Sequence, residues 1–196
     1  MSVRVGVLAL QGDVREHLRV LTDLGADAVL VRRPEELAQV DGLVLPGGES
    51  TVIDRLSRAF GLRDPLRAAI ADGLPALGTC AGLILLADRI LDGAPGQETF
   101  GGLDVTVRRN AFGSQAESFE TRLQVPSLDP PEVRATFIRA PVVEEIGPSA
   151  RALARLEDGR TVAVAQGSLL GLSFHPEVSG ETRFHRLLVQ RARERG

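Results

Sequence analysis

The strongest constraint on the fold is a series of short, almost wholly apolar segments that alternate with amphipathic ones. Four lie in the first half of the chain: VRVGVLAL (residues 3–10), DAVLV (27–31), GLVLP (42–46) and PALGT (75–79). Short apolar runs of this kind are typical of strands buried on both faces. The stretches between them have helical spacing, and strands joined through helices favour a parallel sheet. We therefore predict an α/β fold whose central sheet is covered by helices on both faces.

Helices are predicted between these strands and after the last of them. They follow residue 13, span residues 51–60 and 65–72, and continue after PALGT as LILLADRIL (residues 83–91). Asp13 is a candidate N-cap of the first helix, and Gly25 is its stop signal. The alternation of strands and helices is typical of a flavodoxin-like domain.

The second half of the chain has a different pattern. Shorter strands are predicted in LDVTVRR, SFETRLQV and VRATFIRA (residues 133–140). TVAVAQ and LLGLSFH, separated by Gly167 and Ser168, predict a β-hairpin, and residues 181–195 predict a C-terminal helix. These strands form an antiparallel extension of the sheet. A length of 196 residues suits one domain, so we expect residues 1–196 to form a single domain.

Composition excludes several classes of protein. A net charge of −3 argues against a nucleic-acid binder, and no apolar run reaches the roughly 18 residues of a membrane span. The apolar stretch at the N-terminus is too short for a signal peptide. One cysteine excludes an internal disulfide and a multi-cysteine zinc site. All 23 basic residues are arginines, so no lysine can form a Schiff base or complete a Walker A loop. We expect a cytoplasmic protein.

The only cysteine, Cys80, lies in the sequence LGTCAG (residues 77–82). This is the GxCxG pattern of a nucleophile elbow, where a strand turns so sharply into a helix that side chains at Gly78 and Gly82 would clash. The nucleophile then projects at the carboxyl end of the sheet, where ligands bind in open α/β folds. A helix N-terminus also favours a negatively charged thiolate. Alone, the motif fits a buried cysteine beside two incidental glycines equally well.

A thiol nucleophile needs a base, and the chain has three histidines. His17 lies in the first predicted helix among charged residues, which indicates a solvated helix surface, and His185 lies in the predicted C-terminal helix, where its role is structural or solvated. His175 ends the apolar strand LLGLSF, two residues before Glu177. In an extended segment residues i and i+2 point to the same side. Glu177 can therefore orient one imidazole nitrogen while the other faces Cys80; a chance pairing at a strand end is the alternative.

The third motif is LPGGEST (residues 45–51), which follows the third predicted strand. In a cysteine acyl-transfer site the backbone N–H groups of Gly48 and Ala81 would form the oxyanion hole. The alternative is a phosphate-binding or purely structural turn.

PGGES, GTCAG and FHPE, in this order, resemble the class I glutamine amidotransferases. Within them, LALQGDVREH, LPGGEST, RRNAFGSQAESFE and TFIRAP are similar to the glutaminase subunits of pyridoxal 5′-phosphate synthase, over essentially the whole chain. Ser114 departs from the pattern of that subgroup, which has an arginine there. The departure puts at most a local contact in doubt.

The resemblance implies a Cys80–His175–Glu177 triad that hydrolyses L-glutamine to L-glutamate and ammonia through a cysteine thioester. It implies no metal and no cofactor. It places the glutamine-binding residues at Gly47, Gly48, Glu49, Arg109, Ile138 and Arg139. Chemically, the two arginines either neutralise the α-carboxylate of the substrate or order the loops.

The resemblance also implies a partner, the synthase subunit of pyridoxal 5′-phosphate synthase, in a large hetero-oligomer. The family places imine chemistry on lysines of that subunit, and this chain has no lysine. Gln11, Asn110 and Gln115 are candidates for the docking face. The alternatives are a glutaminase subunit of another synthase, such as imidazole glycerol phosphate synthase, another thiol hydrolase of the same architecture, and a flavodoxin-like binding module without activity.

Overall fold

The fold is that of a computed structural model, which describes residues 2–109, 111 and 118–195. The strands of this part of the chain are β1 (Arg4–Leu8), β2 (Asp27–Val31), β3 (Gly42–Leu45), β4 (Ala76–Thr79), β5 (Ala87–Leu91), β6 (Leu103–Arg108), β7 (Phe119–Gln124), β8 (Glu132–Phe137), β9 (Val142–Ile146), β10 (Arg151–Arg155), β11 (Thr161–Gln166) and β12 (Leu169–Leu172). The helices are α1 (Val14–Asp23), α2 (Pro34–Leu37), α3 (Ser50–Ala59), α4 (Arg63–Ala71), α5 (Ala81–Leu86), α6 (Pro176–Ser179) and α7 (Arg183–Arg195). Among these helices none has the length and apolar character that a membrane span requires.

One large sheet organises the molecule. Its strand order is β2-β1-β3-β4-β12-β11-β9-β6-β5, with β10 also paired to β11. The strands from β2 to β12 are parallel to their neighbours. Antiparallel pairing begins at the β11–β12 hairpin, which confirms the hairpin prediction, and continues through β9. Strands β7 and β8 form a separate antiparallel ribbon. This mixed, mostly parallel sheet confirms the predicted fold class.

The buried strands divide their side chains between two apolar clusters, one on each face of the sheet. In β3, Val44 belongs to one cluster and its neighbours Leu43 and Leu45 belong to the other, because successive strand residues point to opposite faces. Helices α1 and α7 contribute to the first cluster, whereas α3, α4 and α5 contribute to the second. This two-sided burial explains why these strands read as continuous apolar runs.

The predicted helix over residues 83–91 is wrong in its second half. Helix α5 ends at Leu86, and the chain continues as the strand β5, which pairs with β6. Leu83 to Leu86 are buried whichever way they face, so their apolar character carries no period. The Arg89 side chain is held by Thr106 and Asp104 of β6. These cross-strand contacts favour the strand, and they cannot be seen in a local sequence window.

Candidate active site

Four neighbouring parallel strands end at the same edge of the sheet, and the chain that follows each of them meets at one cavity. The strands are β1, β3, β4 and β12, as expected for a ligand site in an open α/β sheet. The cavity has a volume of about 360 Å³. Most of the residues predicted for the site line it: Gly48, Glu49, Cys80, Ala81, Arg109, Ile138, Arg139 and His175. The remaining two lie behind that lining, since Glu177 is buried and Gly47 packs against His175.

Cys80 occupies the turn between β4 and α5. Its backbone has a φ of 50° and a ψ of −103°, a combination that L-amino acids with a side chain rarely adopt. The Cys80 N–H donates to the Leu172 carbonyl oxygen at 2.8 Å, which ties the turn to the end of β12. The Sγ atom lies 3.9 Å from the Ile138 carbonyl oxygen, and only 8% of the residue is exposed. The thiol therefore faces the cavity from a fixed, sharply turned backbone.

The two glycines of the elbow are required by close backbone contacts. A Cβ on Gly78 would lie 2.5 Å from the Gly82 carbonyl carbon, and a Cβ on Gly82 would overlap the Leu45 carbonyl oxygen of β3. Neither backbone atom can move as a flexible side chain would. The sequence-based explanation of these glycines, that side chains there would clash, agrees with this geometry.

Replacing Gly82 with alanine is therefore expected to lower the free energy of unfolding by about 1–3 kcal/mol and to reduce activity, because the clash displaces the turn that carries Cys80. Urea denaturation measures the first effect, and a parallel assay of the hydrolysis that the sequence resemblance implies measures the second. Gly61→Ala is the matched control. A Cβ at Gly61 meets no atom within 4 Å, although its φ is +65°, so it should cost about 1 kcal/mol and leave activity intact. The same loss of activity in the two variants would contradict this explanation.

His175 and Glu177 form the most buried polar contact of the cavity wall. His175 Nδ1 lies 2.7 Å from Glu177 Oε1, which leaves Nε2 available to the Cys80 side. The structure corrects the reason for this contact. Strand β12 ends at Leu172, His175 is the N-cap of the short helix α6, and Glu177 lies in its first turn. The contact therefore depends on a tight helical start, whereas the sequence suggested two side chains on one side of an extended strand.

Asp13 is part of this cluster and was not predicted as a site residue. As an N-cap it makes no side-chain capping hydrogen bond; instead its Oδ2 lies 3.3 Å from His175 Nδ1. Burial disfavours the charged form of His175, but hydrogen bonds with Asp13, Cys80 and Glu177 outweigh burial and raise the pKa of His175 to about 12. The sequence signals for Asp13 are its place in the motif LALQGDVREH and in the loop that follows β1, at the carboxyl edge of the sheet.

Donor atoms of Asp13, His175 and Glu177 all lie within 4.8 Å of one another, a spacing that could hold a cation. The His175 atom nearest to both carboxylates is Nδ1, 3.3 Å from Asp13 Oδ2 and 2.7 Å from Glu177 Oε1. A metal bound through Nδ1 would have to replace its proton, so the hydrogen-bonded arrangement and such a metal site exclude each other.

His17 corrects a second prediction, because it does not lie on a solvated surface, and His185 has the structural environment that was one of its two alternatives. Both are fully buried, and His17 Nδ1 lies 2.8 Å from His185 Nε2. Burial, together with the neighbouring His185 and His175, lowers the pKa of His17 well below its ordinary value, and burial lowers the pKa of His185 to about 4. Both imidazoles are therefore neutral at pH 7. The signal was present, since His17 fits the apolar stripe of Val14, Leu18 and Leu21 at helical spacing.

The two backbone amides predicted for an oxyanion hole both border the cavity. Gly48 has a φ of +151°, and a Cβ there would collide with the Gln11 side chain. The neighbouring Glu49 N–H donates to Gln11 Oε1 at 2.7 Å. Within the described part of the chain, neither the Gly48 N–H nor the Ala81 N–H has a hydrogen-bond acceptor. Their role as an oxyanion hole stays a prediction.

Arg109 and Arg139 have different surroundings. The Arg109 guanidinium, 13% exposed, donates to Glu49 Oε1 at 3.0 Å and to Gln97 Oε1 at 2.7 Å. It thereby ties the loop after β3 to the segment before β6. Arg139 is exposed and has a φ of 43°, and it has no ion-pair partner among residues 2–109, 111 and 118–195. Of the candidate docking residues, Gln11 lines the cavity, whereas Asn110 and Gln115 lie outside the described residues, as does Ser114.

A thiol, an imidazole and a carboxylate at the carboxyl edge of such a sheet are the groups that a cysteine acyl-transfer enzyme requires. Similar proteins identify the class to which this chain belongs. A solved structure described as a glutamine amidotransferase is 47% identical, superposes with a TM-score of 0.88, and is matched over 96% of this chain and 98% of its own. A glutamine amidotransferase from Thermotoga maritima, 16% identical with a TM-score of 0.63 over 99% of this chain and 91% of its own, shares the fold.

The family follows from the sequence matches. Residues 7–194 match the SNO glutamine amidotransferase family, and this chain belongs to it. The pyridoxal 5′-phosphate synthase subunit PdxT of Leifsonia xyli subsp. xyli is 68% identical over 94% of this chain and 93% of its own length. The protein of the same name from Clavibacter sepedonicus is 65% identical over 98% of this chain and 92% of its own length.

Proposed function

We propose that this chain is the glutaminase subunit of pyridoxal 5′-phosphate synthase. It hydrolyses L-glutamine to L-glutamate and ammonia and passes the ammonia to a synthase subunit. The observation that carries the proposal is the contact of His175 with Glu177 beside the only thiol of the chain, in a cavity of about 360 Å³. The names of relatives at 65–68% identity support the particular synthase.

In the proposed reaction Cys80 is the nucleophile. Its sulfur attacks the side-chain amide carbon of glutamine, and the carbonyl π electrons move to oxygen. The raised pKa of His175 supports a resting site in which the proton already lies on the imidazole. His175 therefore protonates the departing nitrogen as the carbon–nitrogen bond breaks, and ammonia and a thioester result. His175 then takes a proton from water, the hydroxide attacks the thioester, and glutamate leaves as Cys80 is regenerated.

The oxyanion of both tetrahedral intermediates is the next requirement. The N–H groups of Gly48 and Ala81, which have no acceptor among the described residues, are assigned to it. Losing one such donor typically costs about 10²- to 10³-fold in rate. Gly47 packs behind His175, where a Cβ would meet the imidazole Cε1, so this glycine lets the loop after β3 approach the base.

The remaining contacts are assigned to the amino-acid end of the substrate. Arg139 has no ion-pair partner in the described part of the chain, so we assign it to the α-carboxylate, with the backbone of Ile138 beside it. Glu49 can accept from the α-ammonium group. Arg109 is already engaged by Glu49 and Gln97, which favours the second of its two roles, ordering the loop.

The partner follows from the fate of ammonia, which is protonated if it escapes to water. A synthase subunit that supplies the lysines this chain lacks is the proposed recipient, in a hetero-oligomer, with Gln11 at the docking face. We propose that residues 1–196 act as a single glutaminase domain. A cytoplasmic location is proposed because the nucleophilic thiol must stay reduced.

The test is glutamate release from L-glutamine, measured with and without the pyridoxal 5′-phosphate synthase subunit. We expect the rate to rise when this subunit is added and to be unchanged by imidazole glycerol phosphate synthase. The reverse response would favour the glutaminase subunit of that other synthase. No glutamate with either partner would favour a different thiol hydrolase or a binding module.

A further inference from the structure

Behind His175 and Glu177, on the side away from the cavity, lies a row of buried polar side chains. Beyond Glu177 the proposed reaction does not use them. The row starts at Glu177 Oε1, 3.6 Å from His17 Nε2. The same His17 nitrogen lies 3.2 Å from Thr79 Oγ1, and the opposite nitrogen, Nδ1, lies 2.8 Å from His185 Nε2. These four residues are all buried. The row connects the catalytic carboxylate with helix α1, the end of β4 and helix α7.

The tautomers of the two histidines follow from the cost of burying an N–H without an acceptor and the cost of placing a lone pair beside a carboxylate. His185 Nδ1 is buried and has no hydrogen-bond partner among the described residues. A buried N–H without an acceptor is rarer in proteins than an under-used acceptor, so the His185 proton belongs on Nε2 and is donated to His17 Nδ1. The proton of neutral His17 then lies on Nε2, where it points toward Thr79 Oγ1 and Glu177 Oε1. The opposite tautomer would set a lone pair against the Glu177 carboxylate.

The Glu177 carboxylate has few polar contacts besides the Nε2–H of His17. Its other oxygen, Oε2, is buried without a hydrogen-bond partner in the described part of the chain. The polar contacts of the carboxylate are therefore concentrated at Oε1, from His175 on one side and from His17 on the other. In a buried setting with low dielectric, an N–H dipole aimed at an anion has a large effect.

We propose that His17 is a positioning residue for glutamine hydrolysis: its Nε2–H keeps the Glu177 carboxylate aimed at His175, while His185 fixes the His17 tautomer. This role rests on the proposed glutaminase function. Asp13, the N-cap of helix α1 and four residues before His17, contacts the imidazole of His175. The start of helix α1 therefore supports both members of the His175–Glu177 pair.

Two amide substitutions separate positioning from packing. The side-chain amide of Gln in His17→Gln can place an N–H near the position of Nε2, whereas Asn in His17→Asn reaches only the position of Nδ1. We expect H17Q to keep kcat within about fivefold of the wild type, and H17N to lower kcat about 10- to 100-fold, since misplacement of a catalytic group by about 1 Å has effects of this size. KM should be unchanged in both, because His17 does not line the cavity.

The control is Ser57→Ala, which removes the 2.7 Å hydrogen bond of an equally buried side chain to the Asp54 carbonyl oxygen, far along the sequence from the triad. It should leave kcat unchanged. Thermal unfolding of all variants verifies that each is folded. The same kcat in H17N and H17Q would overturn the positioning role.

An NMR titration of the His175 imidazole gives a readout that does not need turnover. We expect the pKa of His175 to be lower in H17N than in H17Q, because the carboxylate that supports the imidazolium is no longer held. Identical titrations would overturn the inference. If the wild type released no glutamate with its synthase, the proposed function would fail, and this titration would still decide whether His17 positions Glu177.

Discussion

Replacing Cys80 with alanine is expected to lower glutamate release at least about 10⁴-fold, while binding to the synthase subunit is retained. The expectation rests on chemistry, because this chain contains one cysteine and the loss of a catalytic nucleophile typically removes nearly all turnover. The measurement is single-turnover and steady-state glutamate production in the presence of the synthase, with a pull-down for binding.

The variant Cys80→Ser completes this test. It keeps a nucleophilic atom in the same turn, but a hydroxyl is a far weaker nucleophile than a thiolate at neutral pH, so it should be almost as inactive. Iodoacetamide should modify one site in the wild type and none in either variant, which verifies that the thiol is gone. Wild-type-like ammonia release by Cys80→Ala would refute the proposed mechanism.

The second large effect is expected for Glu177→Gln. Because the substitution keeps the shape of the side chain and removes its charge, kcat should fall about 10²- to 10⁴-fold, in the range known for the third member of a catalytic triad. The hydrogen bond with Glu177 is one of three that raise the pKa of His175. In the variant His175 loses the negatively charged partner of its imidazolium, so the imidazolium should deprotonate at a lower pH than in the wild type. Steady-state kinetics and NMR titration of His175 measure the two effects.

Asp13→Asn is the matched comparison. Asp13 contacts the same His175 nitrogen, but at 3.3 Å, and its side chain is 41% exposed. Solvent screens its charge, so its loss should lower kcat by less than about tenfold. A larger loss in Asp13→Asn than in Glu177→Gln would exchange the roles of the two carboxylates.

The nucleophile and the base could be found from the sequence because each stands beside a local signal. Cys80 lies between two glycines that only a sharp turn explains, and His175 ends an apolar run. The Glu177 contact was predicted correctly for an incorrect reason, since an extended strand and a tight helical start both bring residues i and i+2 together. Sequence spacing alone does not distinguish these two geometries.

Asp13 and His17 could not be assigned in the same way, because their partners come from distant parts of the chain. Asp13 lies in the first βα loop and contacts His175, and His17 meets His185 across two helices. The charged neighbours of His17 in the sequence suggested an exposed helix face, although the helical spacing of His17 with the apolar residues of α1 indicated burial. The end of α5 was missed for a similar reason, because pairing of β5 with β6 depends on a strand that follows later.

The backbone of Cys80 sets a limit on how stable this protein can become while it remains a catalyst. Its φ of 50° and ψ of −103° store conformational energy, typically on the order of 1–3 kcal/mol at such a position. Glycine is the residue that would release that energy, and it has no sulfur. The substitution that would stabilise this turn most, Cys80→Gly, would also remove the nucleophile. Selection for greater stability in an active enzyme must therefore act elsewhere in the chain.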